Sequence, residues 1–112
     1  MANKPKPLKR SSDFLEISTQ GKKIKAAPWL LLQVLASADG FSYYGLTVSR
    51  KVGPSVIRNR LKRWVRNCVR SENWPQQFNS KKVVFVFRPQ SAEAFYKQLT
   101  YKQFVAALKK LG

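Results

Sequence analysis

Residues 46–70 read LTVSRKVGPSVIRNRLKRWVRNCVR, and most of this stretch has the periodicity of an amphipathic helix. After Gly53, apolar residues recur at i, i+4, i+7, i+8, i+11 and i+12, which places them on one side of a helix. They are Ile57, Leu61, Trp64, Val65, Cys68 and Val69. Pro54 suits the first helical turn, where an N–H group would have no partner. The pattern therefore predicts a helix over residues 54–72 that packs on a core through this side.

The other side of the same helix is basic. It carries Asn59, Lys62, Arg63, Arg66 and Arg70, with Arg58 and Arg60 at its borders. Arg50 and Lys51 precede the helix, and no acidic residue lies between Asp39 and Glu72. A charge run is usually a solvated face, but such a face mixes signs, because opposite charges at i, i+4 stabilise a helix and like charges destabilise it. Eight cations without an anion favour a binding face, and guanidinium groups match either a phosphate or a guanine edge bidentately. Asn59 is either part of that face or a neutral exposed amide.

The remaining segments predict a sheet that this helix covers. Periodicity leaves residues 29–36, WLLLQVLA, open as a strand or a buried helix, and the length of the run favours a strand. An Asp-Gly turn at 37–40 then leads to a strand at 43–48, so these two strands are expected to form an antiparallel pair. Residues 83–87, VVFVF, are the clearest strand in the chain.

Two further helices are predicted near the ends of the chain. The first begins at Ser12 or Asp13 as N-cap, ends at Gly21, and places Phe14 and Ile17 on one face. The last begins near Thr100, which has capping-box spacing to Gln103. Its buried residues are expected to be Phe104, Ala107, Leu108 and Leu111. The predicted fold is α/β of the α+β type, a single mixed sheet with packed helices in the order α-β-β-α-β-α.

The composition limits the chemistry. The 112 residues include 22 Lys and Arg against five Asp and Glu, a formal net charge of +17, and no histidine. Cys68 is the only cysteine, so an intramolecular disulfide and a cysteine-cluster zinc site are excluded. The absence of histidine excludes any His-based triad. The carboxylates are scattered, so we expect no catalytic residues and no metal site on the chain. Self-repulsion at this charge costs folding free energy unless a polyanion neutralises it, and nucleic acid is the predicted partner.

The chain is expected to form one domain in the cytoplasm. Residues 1–10 contain two prolines and four basic residues without hydrophobic periodicity, which predicts a flexible basic N-terminal arm. Residues 11–112 are then a single nucleic-acid-binding domain. No apolar run is long enough to span a bilayer, which takes roughly 20 residues.

The segment VSRKVG, followed by Arg58-Asn59-Arg60, Lys62-Arg63 and Arg66, resembles the signature of the bacterial ribonuclease P protein component. The opening LKRSSDFLEISTQG and the strand VVFVFRP are also similar to that family, and the resemblance covers nearly the whole chain. It implies a ribosomal-protein-like two-layer sandwich whose β-α-β crossover is left-handed, a hand that sequence patterning does not predict.

The resemblance also implies a function. The chain would be the accessory subunit of an endoribonuclease that removes the 5′ leader of precursor tRNA, with the catalytic centre and its Mg²⁺ on the RNA subunit. The expected partners are that catalytic RNA and precursor tRNA, not DNA or a membrane. The expected contacts to the RNA subunit are Arg50, Lys51, Arg58, Asn59, Arg60, Lys62, Arg63, Arg66 and Arg70. The expected leader-binding residues, in a cleft between the first helix and the sheet, are Phe14, Lys9, Arg10 and Ile17.

Two positions differ from the family's pattern. A second aromatic residue often follows one helical turn after the first, where this chain has Ser18, and a strand position that is often Tyr is expected to be Leu32. The cleft is then less aromatic than usual unless Trp29 or Tyr44 substitutes, although core packing is the favoured interpretation of Trp29. The main alternative is a ribosomal or RNA-chaperone type RNA-binding module without enzymatic assembly. A membrane-active helix is disfavoured because the predicted strands give its apolar side a core.

Overall fold

Five strands form one mixed sheet in the computed structural model, which describes residues 4–71, 74–91 and 94–110. The strands are β1 (Lys6–Pro7), β2 (Lys22–Ala27), β3 (Leu30–Ala36), β4 (Tyr43–Val48) and β5 (Lys81–Phe87). Their order across the sheet is β1-β4-β5-β3-β2. The helices are α1 (Ser11–Gln20), α2 (Ser55–Arg70), α3 (Phe95–Gln98) and α4 (Tyr101–Lys109), with 3₁₀ turns at Arg50–Val52 and Gln76–Phe78.

The central strand is β5, which lies antiparallel to β3 and parallel to β4. The prediction that β3 and β4 pair through the Asp-Gly turn is therefore wrong. The loop between them instead reaches the start of β5, where Ser37 N donates to Ser80 O at 3.0 Å and Ser80 N donates to Ser42 Oγ at 2.9 Å. Residues 83–85 are apolar on both faces of β5 and are at most 1% exposed. A central position buries both of those faces, which a place at the edge would not.

The helices α2 and α4 cover one face of the sheet. Leu32 of β3, Leu46 of β4 and Phe85 of β5 are register partners that point to this face. The six predicted apolar residues of α2 are buried here, and they are Ile57, Leu61, Trp64, Val65, Cys68 and Val69. In α4, the predicted burial of Phe104, Ala107 and Leu108 is confirmed. Leu111, the fourth residue predicted there, lies outside the described residues.

The other face of the sheet carries α1, which packs against β3 and β5. Ile17 is fully buried in this contact. The Phe14 ring lies over Gly45 of β4, whose register partner in β5 is Val84. Because α1 is only ten residues long, part of this face stays uncovered beyond it. The sheet therefore has one side that α2 and α4 cover and one side that is partly open.

The ends of the helices follow local rules with one exception. Gly21 ends α1 as predicted, and its N–H donates to Ile17 O at 2.8 Å. Thr100 and Gln103 form the predicted capping box of α4. The N-cap of α1 is Arg10, which makes no side-chain cap hydrogen bond, so the prediction of Ser12 or Asp13 is wrong. Only three residues separate β1 from α1, and the helix begins at Ser11, before the predicted caps Ser12 and Asp13.

Three short or polar elements were missing from the predicted order. They are β1, which has two residues, β2, whose sequence KKIKAA is rich in lysine, and α3, which has four residues. In β1, Lys6 N donates to Ser42 O at 2.9 Å, and Leu8 N donates to Tyr44 O at 2.8 Å just beyond it. Part of the predicted N-terminal arm is thus an edge strand of the sheet.

The predicted class is confirmed as a mixed α+β fold with a single sheet and packed helices. The connection β4-α2-β5 joins two neighbouring parallel strands, as predicted, and its left-handedness stays a prediction. In the described segments, no helix combines the length and the hydrophobicity needed to cross a lipid bilayer.

Candidate nucleic-acid interface

The outward side of α2 is a continuous basic surface. Burial of the apolar side against the sheet turns the opposite side of the helix to solvent. Asn59, Arg63, Arg66 and Arg70 are exposed, and Lys62 is half-buried. Among the described residues, none of these cations forms an ion pair with a carboxylate. The positive charges of this surface, which we call the α2 basic face, are therefore not neutralised within the described part of the protein.

A 3₁₀ turn extends this face beyond the start of the helix. Arg50 and Lys51 lie exposed in the turn, and Gly53 N donates to Arg50 O at 3.3 Å. Arg58, half-buried in the first turns of α2, donates from Nε to Gly53 O at 3.2 Å. That hydrogen bond holds the turn against the helix. Two more cations thereby lie beside the N-terminus of α2, and their contact with an RNA subunit stays a prediction.

Arg60 differs from the other cations of α2. Its Nη1 donates to Tyr96 O at 3.3 Å and to Lys97 O at 3.2 Å, and its Nη2 donates to Leu99 O at 2.7 Å. Its guanidinium carbon lies 4.8 Å from the centre of the Trp64 ring, a cation–π contact. The side chain, which was expected at the border of the basic side and in contact with the RNA subunit, is therefore directed to the C-terminal end of α3 and to Leu99, which follows it.

A second cationic surface lies on the open side of the sheet. It contains a cavity of about 480 Å³ between β1, the start of α1 and the loop before β4. Lys9 and Arg10, two of the predicted leader-binding residues, line this cavity. Lys6 and Lys82 line it as well and were not predicted. The alternation of side chains along a strand would have placed Lys82 here if the pairing of β5 had been known.

Phe14 borders the same surface and is half-buried. A Cβ atom at Gly45 would lie 2.6 Å from Phe14 Cε1 and 2.7 Å from Phe14 Cζ, so the ring needs the glycine beneath it. Ile17, which was predicted to contact the leader, is 0% exposed. The prediction for Ile17 is wrong, because its side chain fills the contact between α1 and the sheet and offers no surface to a ligand.

The expected place of Leu32 in the cleft is also wrong. Leu32 is 0% exposed and faces α2, since side chains alternate along the strand. Leu31 and Gln33 stand on the open side instead. Ser18 does lie on α1, where its hydroxyl donates to Leu15 O at 3.0 Å.

The two candidate substitutes for a cleft aromatic belong to the core. Trp29 is 8% exposed, and its ring stacks on Phe87 at 6.4 Å between centroids. Tyr44 is half-buried against the same core. The neighbouring Tyr43 points to the open side, where its hydroxyl donates to Asp39 Oδ2. Tyr43 is therefore the aromatic residue that sequence reasoning missed.

Asp39, in the cavity wall, has a lowered pKa. Hydrogen bonds from Ser37 Oγ, from the Tyr43 hydroxyl and from Phe41 N lower the pKa of Asp39 from 3.8 to about 2. The same contact with Asp39 raises the pKa of Tyr43. Asp39 therefore stays ionised near neutral pH, where it accepts hydrogen bonds and has no proton to donate. Over the ranges that the structure describes, no group of three or more His, Cys, Asp or Glu side chains is placed to hold a metal ion.

The fold and its surfaces define the chain as a small single-sheet α+β protein with one basic helix face and one open, cationic sheet face. The Ribonuclease P family model matches residues 2–112. A ribonuclease P protein component from Clostridioides difficile is 31% identical over 97 residues, which cover 87% of this chain and 84% of that protein. Another from Paramagnetospirillum magneticum is 36% identical over 119 aligned positions, covering 100% of this chain and 86% of that protein.

Solved structures agree with this assignment. The ribonuclease P protein of Thermotoga maritima has a TM-score of 0.78 to this chain, at 27% identity, over 95% of this chain and 94% of that one. The protein from Staphylococcus aureus, at 20% identity and a TM-score of 0.76, shares the fold over 93% of this chain and 89% of that one. The chain belongs to the ribonuclease P protein family.

Proposed function

We propose that this chain is the protein subunit of a ribonuclease P ribonucleoprotein, which binds the catalytic RNA subunit through the α2 basic face. The observation that carries the proposal is the segregation of charge on α2, with six apolar residues buried and the exposed cations free of carboxylate partners among the described residues. Family membership supports ribonuclease P RNA as the proposed partner. Each phosphate that such a face contacts releases counterions, so affinity should fall steeply with salt.

The open sheet face is proposed to hold the single-stranded 5′ leader of precursor tRNA. Its cavity is lined by four cations, Lys6, Lys9, Arg10 and Lys82, and by two carboxylates, Asp13 and Asp39, and this excess of cations suits a phosphate backbone. Lys82 also lies 3.7 Å from the Glu16 carboxylate, an ion pair that a phosphate would have to replace. Phe14 lies at its border and offers a ring surface on which a base can stack, an interaction worth about 1–3 kcal/mol. In this proposal the protein contributes affinity and orientation. The Mg²⁺ ions and the hydrolytic step belong to the RNA subunit, so the chain supplies no catalytic group, and we place the complex in the cytoplasm.

Reconstitution tests the proposal directly. Adding the chain to a ribonuclease P RNA at low Mg²⁺ should increase cleavage of precursor tRNA. The same chain without the RNA should cleave nothing. A general RNA-binding module would bind both RNAs without any gain in cleavage, and that result would refute the proposed function.

A matched pair of variants tests the α2 basic face. Replacing Arg63, Arg66 and Arg70 with Met should lower the slope of log affinity against log salt by about 2–3, at about 0.7–0.9 per phosphate. Replacing Lys102 and Lys109 of α4 and its C-cap Lys110 with Met removes the same charge, and all three are exposed. Equal losses from the two variants would show that net charge alone, and not the α2 basic face, drives binding.

A further inference from the structure

Arg60 satisfies main-chain carbonyls at the end of a helix. In α3, Gln98 N donates to Ala94 O and Leu99 N donates to Phe95 O. Within the described segments, no backbone N–H donates to the next two carbonyls, of Tyr96 and Lys97, as expected for a helix that stops. Both accept from Arg60 Nη1. The guanidinium group of Arg60 thus acts as a C-terminal cap of α3, because it supplies hydrogen bonds to the last carbonyls of the helix.

The same guanidinium group connects three elements. Leu99 O, which accepts from Nη2, belongs to the residue that joins α3 to the N-cap of α4. The flat side of the group lies over Trp64, one turn further along α2. Trp64 in turn contacts Tyr101 and Phe104 of α4, with centroid distances of 6.3 and 6.1 Å. Arg60 therefore ties α2 to α3 and α4 by hydrogen bonds and by an aromatic contact.

We propose that Arg60 is a positioning residue, which fixes the orientation of α2 through the α3–α4 junction and makes no contact with RNA phosphate. This rests on the proposed function of the α2 basic face. Both terminal nitrogens of its guanidinium group donate to carbonyls, Nη1 to two and Nη2 to one, so the fork that these two nitrogens would offer to a phosphate is already in use. The residues of the motif Arg58-Asn59-Arg60 then have different roles. Asn59 lies on the exposed face of α2, while Arg60 fixes the orientation of α2.

The test compares Arg60→Met with Arg63→Met. Methionine keeps an unbranched side chain over Trp64 but removes the donors. Arg63 lies one turn away, is exposed, and makes no hydrogen bond or ion pair among the described residues. Three quantities are measured for each full-length variant. They are the melting temperature without RNA, the Kd for ribonuclease P RNA well below that temperature, and the slope of log Kd against log salt.

Arg60→Met is expected to lower the melting temperature by about 4 °C or more. It should also weaken RNA binding about tenfold while the variant is fully folded, with the salt slope of the original protein unchanged. Arg63→Met is expected to leave the melting temperature unchanged and to reduce the slope by about 0.7–0.9. Arg60→Lys keeps the positive charge. If Arg60→Met does not fold, Arg60→Lys is measured in its place. A positioning role predicts that lysine loses affinity without a change of slope, because one ammonium group cannot satisfy three carbonyls.

Each alternative has its own result. A slope reduced as in Arg63→Met, or full affinity retained by Arg60→Lys, would mean that Arg60 contacts phosphate and would overturn the proposal. Unchanged affinity in a folded Arg60→Met would reduce Arg60 to a stabilising residue, which also overturns it. If the original protein does not bind ribonuclease P RNA, the proposed function fails and the positioning role fails with it. The melting temperatures would still show whether Arg60 acts as a cap.

Discussion

Substitution of Gly45 by alanine tests how closely α1 lies on the sheet. The added Cβ would stand 2.6 Å from Phe14 Cε1, 2.7 Å from Phe14 Cζ and 3.1 Å from Leu8 Cδ1. Non-bonded carbon atoms prefer about 3.5–4.0 Å, so the Phe14 ring must move by about 1 Å. Overpacking of this kind costs about 1–3 kcal/mol. For a domain of this size, 1 kcal/mol lowers the melting temperature by about 4–8 °C.

The assay is a double-mutant cycle of Gly45→Ala and Phe14→Ala, followed by urea unfolding of all four proteins. Phe14→Ala removes the ring that the new Cβ would meet, so Gly45→Ala should be nearly neutral in that background. The two changes are then non-additive by at least about 1 kcal/mol. If the costs simply add, or if Gly45→Ala is neutral by itself, the Phe14 ring does not rest on Gly45.

The same cycle also reports on the leader cleft. Under the proposed function, a displaced Phe14 ring cannot stack on a leader base, which is worth about 1–3 kcal/mol. Gly45→Ala and Phe14→Ala should each weaken binding of leader-bearing precursor tRNA by about 5-fold to 150-fold. Neither should change the affinity for mature tRNA. An equal loss for both RNAs would assign the ring to structure alone.

Three further predictions concern ionisable and hydroxyl groups. Tyr96→Phe removes a buried hydroxyl that donates to Trp29 O at 3.2 Å and to Arg88 O, and should destabilise the fold by about 1–3 kcal/mol in urea unfolding; no loss would mean that the hydroxyl adds nothing net. Burial raises the pKa of Cys68 from 9.0 to about 12, so the thiol ionises only on unfolding and stability should fall as pH rises above about 9. In Cys68→Ala that fall should start later, and an identical pH profile would contradict it. Tyr43→Phe removes a hydrogen bond to Asp39 and should raise the pKa of Asp39 from about 2 towards 3.8, as followed by ¹³C NMR titration; a pKa unchanged at about 2 would show that the hydroxyl does not set it.

The sequence by itself determined the two sides of α2. A period of 3.6 residues is a local property, and it separated Ile57 and Leu61 from Arg63 and Arg66 without any knowledge of the sheet. The bounds of β4 at 43–48 and the capping box at Thr100 were equally local and were confirmed. Apolar periodicity and capping residues indicate which side of a segment is buried and where a helix begins. Both depend only on residues that are close in sequence.

Only the tertiary structure decided which segments meet. β5 lies between β3 and β4 because it is apolar on both faces and must be covered on both, which no local turn signal at residues 37–40 could reveal. The side of β3 that faces the core followed from that pairing, and it removed Leu32 from the cleft. The partners of Arg60 lie 36 to 39 residues further along the chain. Helical periodicity placed Arg60 at the border between the apolar and basic sides of α2. It could not identify the carbonyls that Arg60 contacts, because those are set by how distant segments pack.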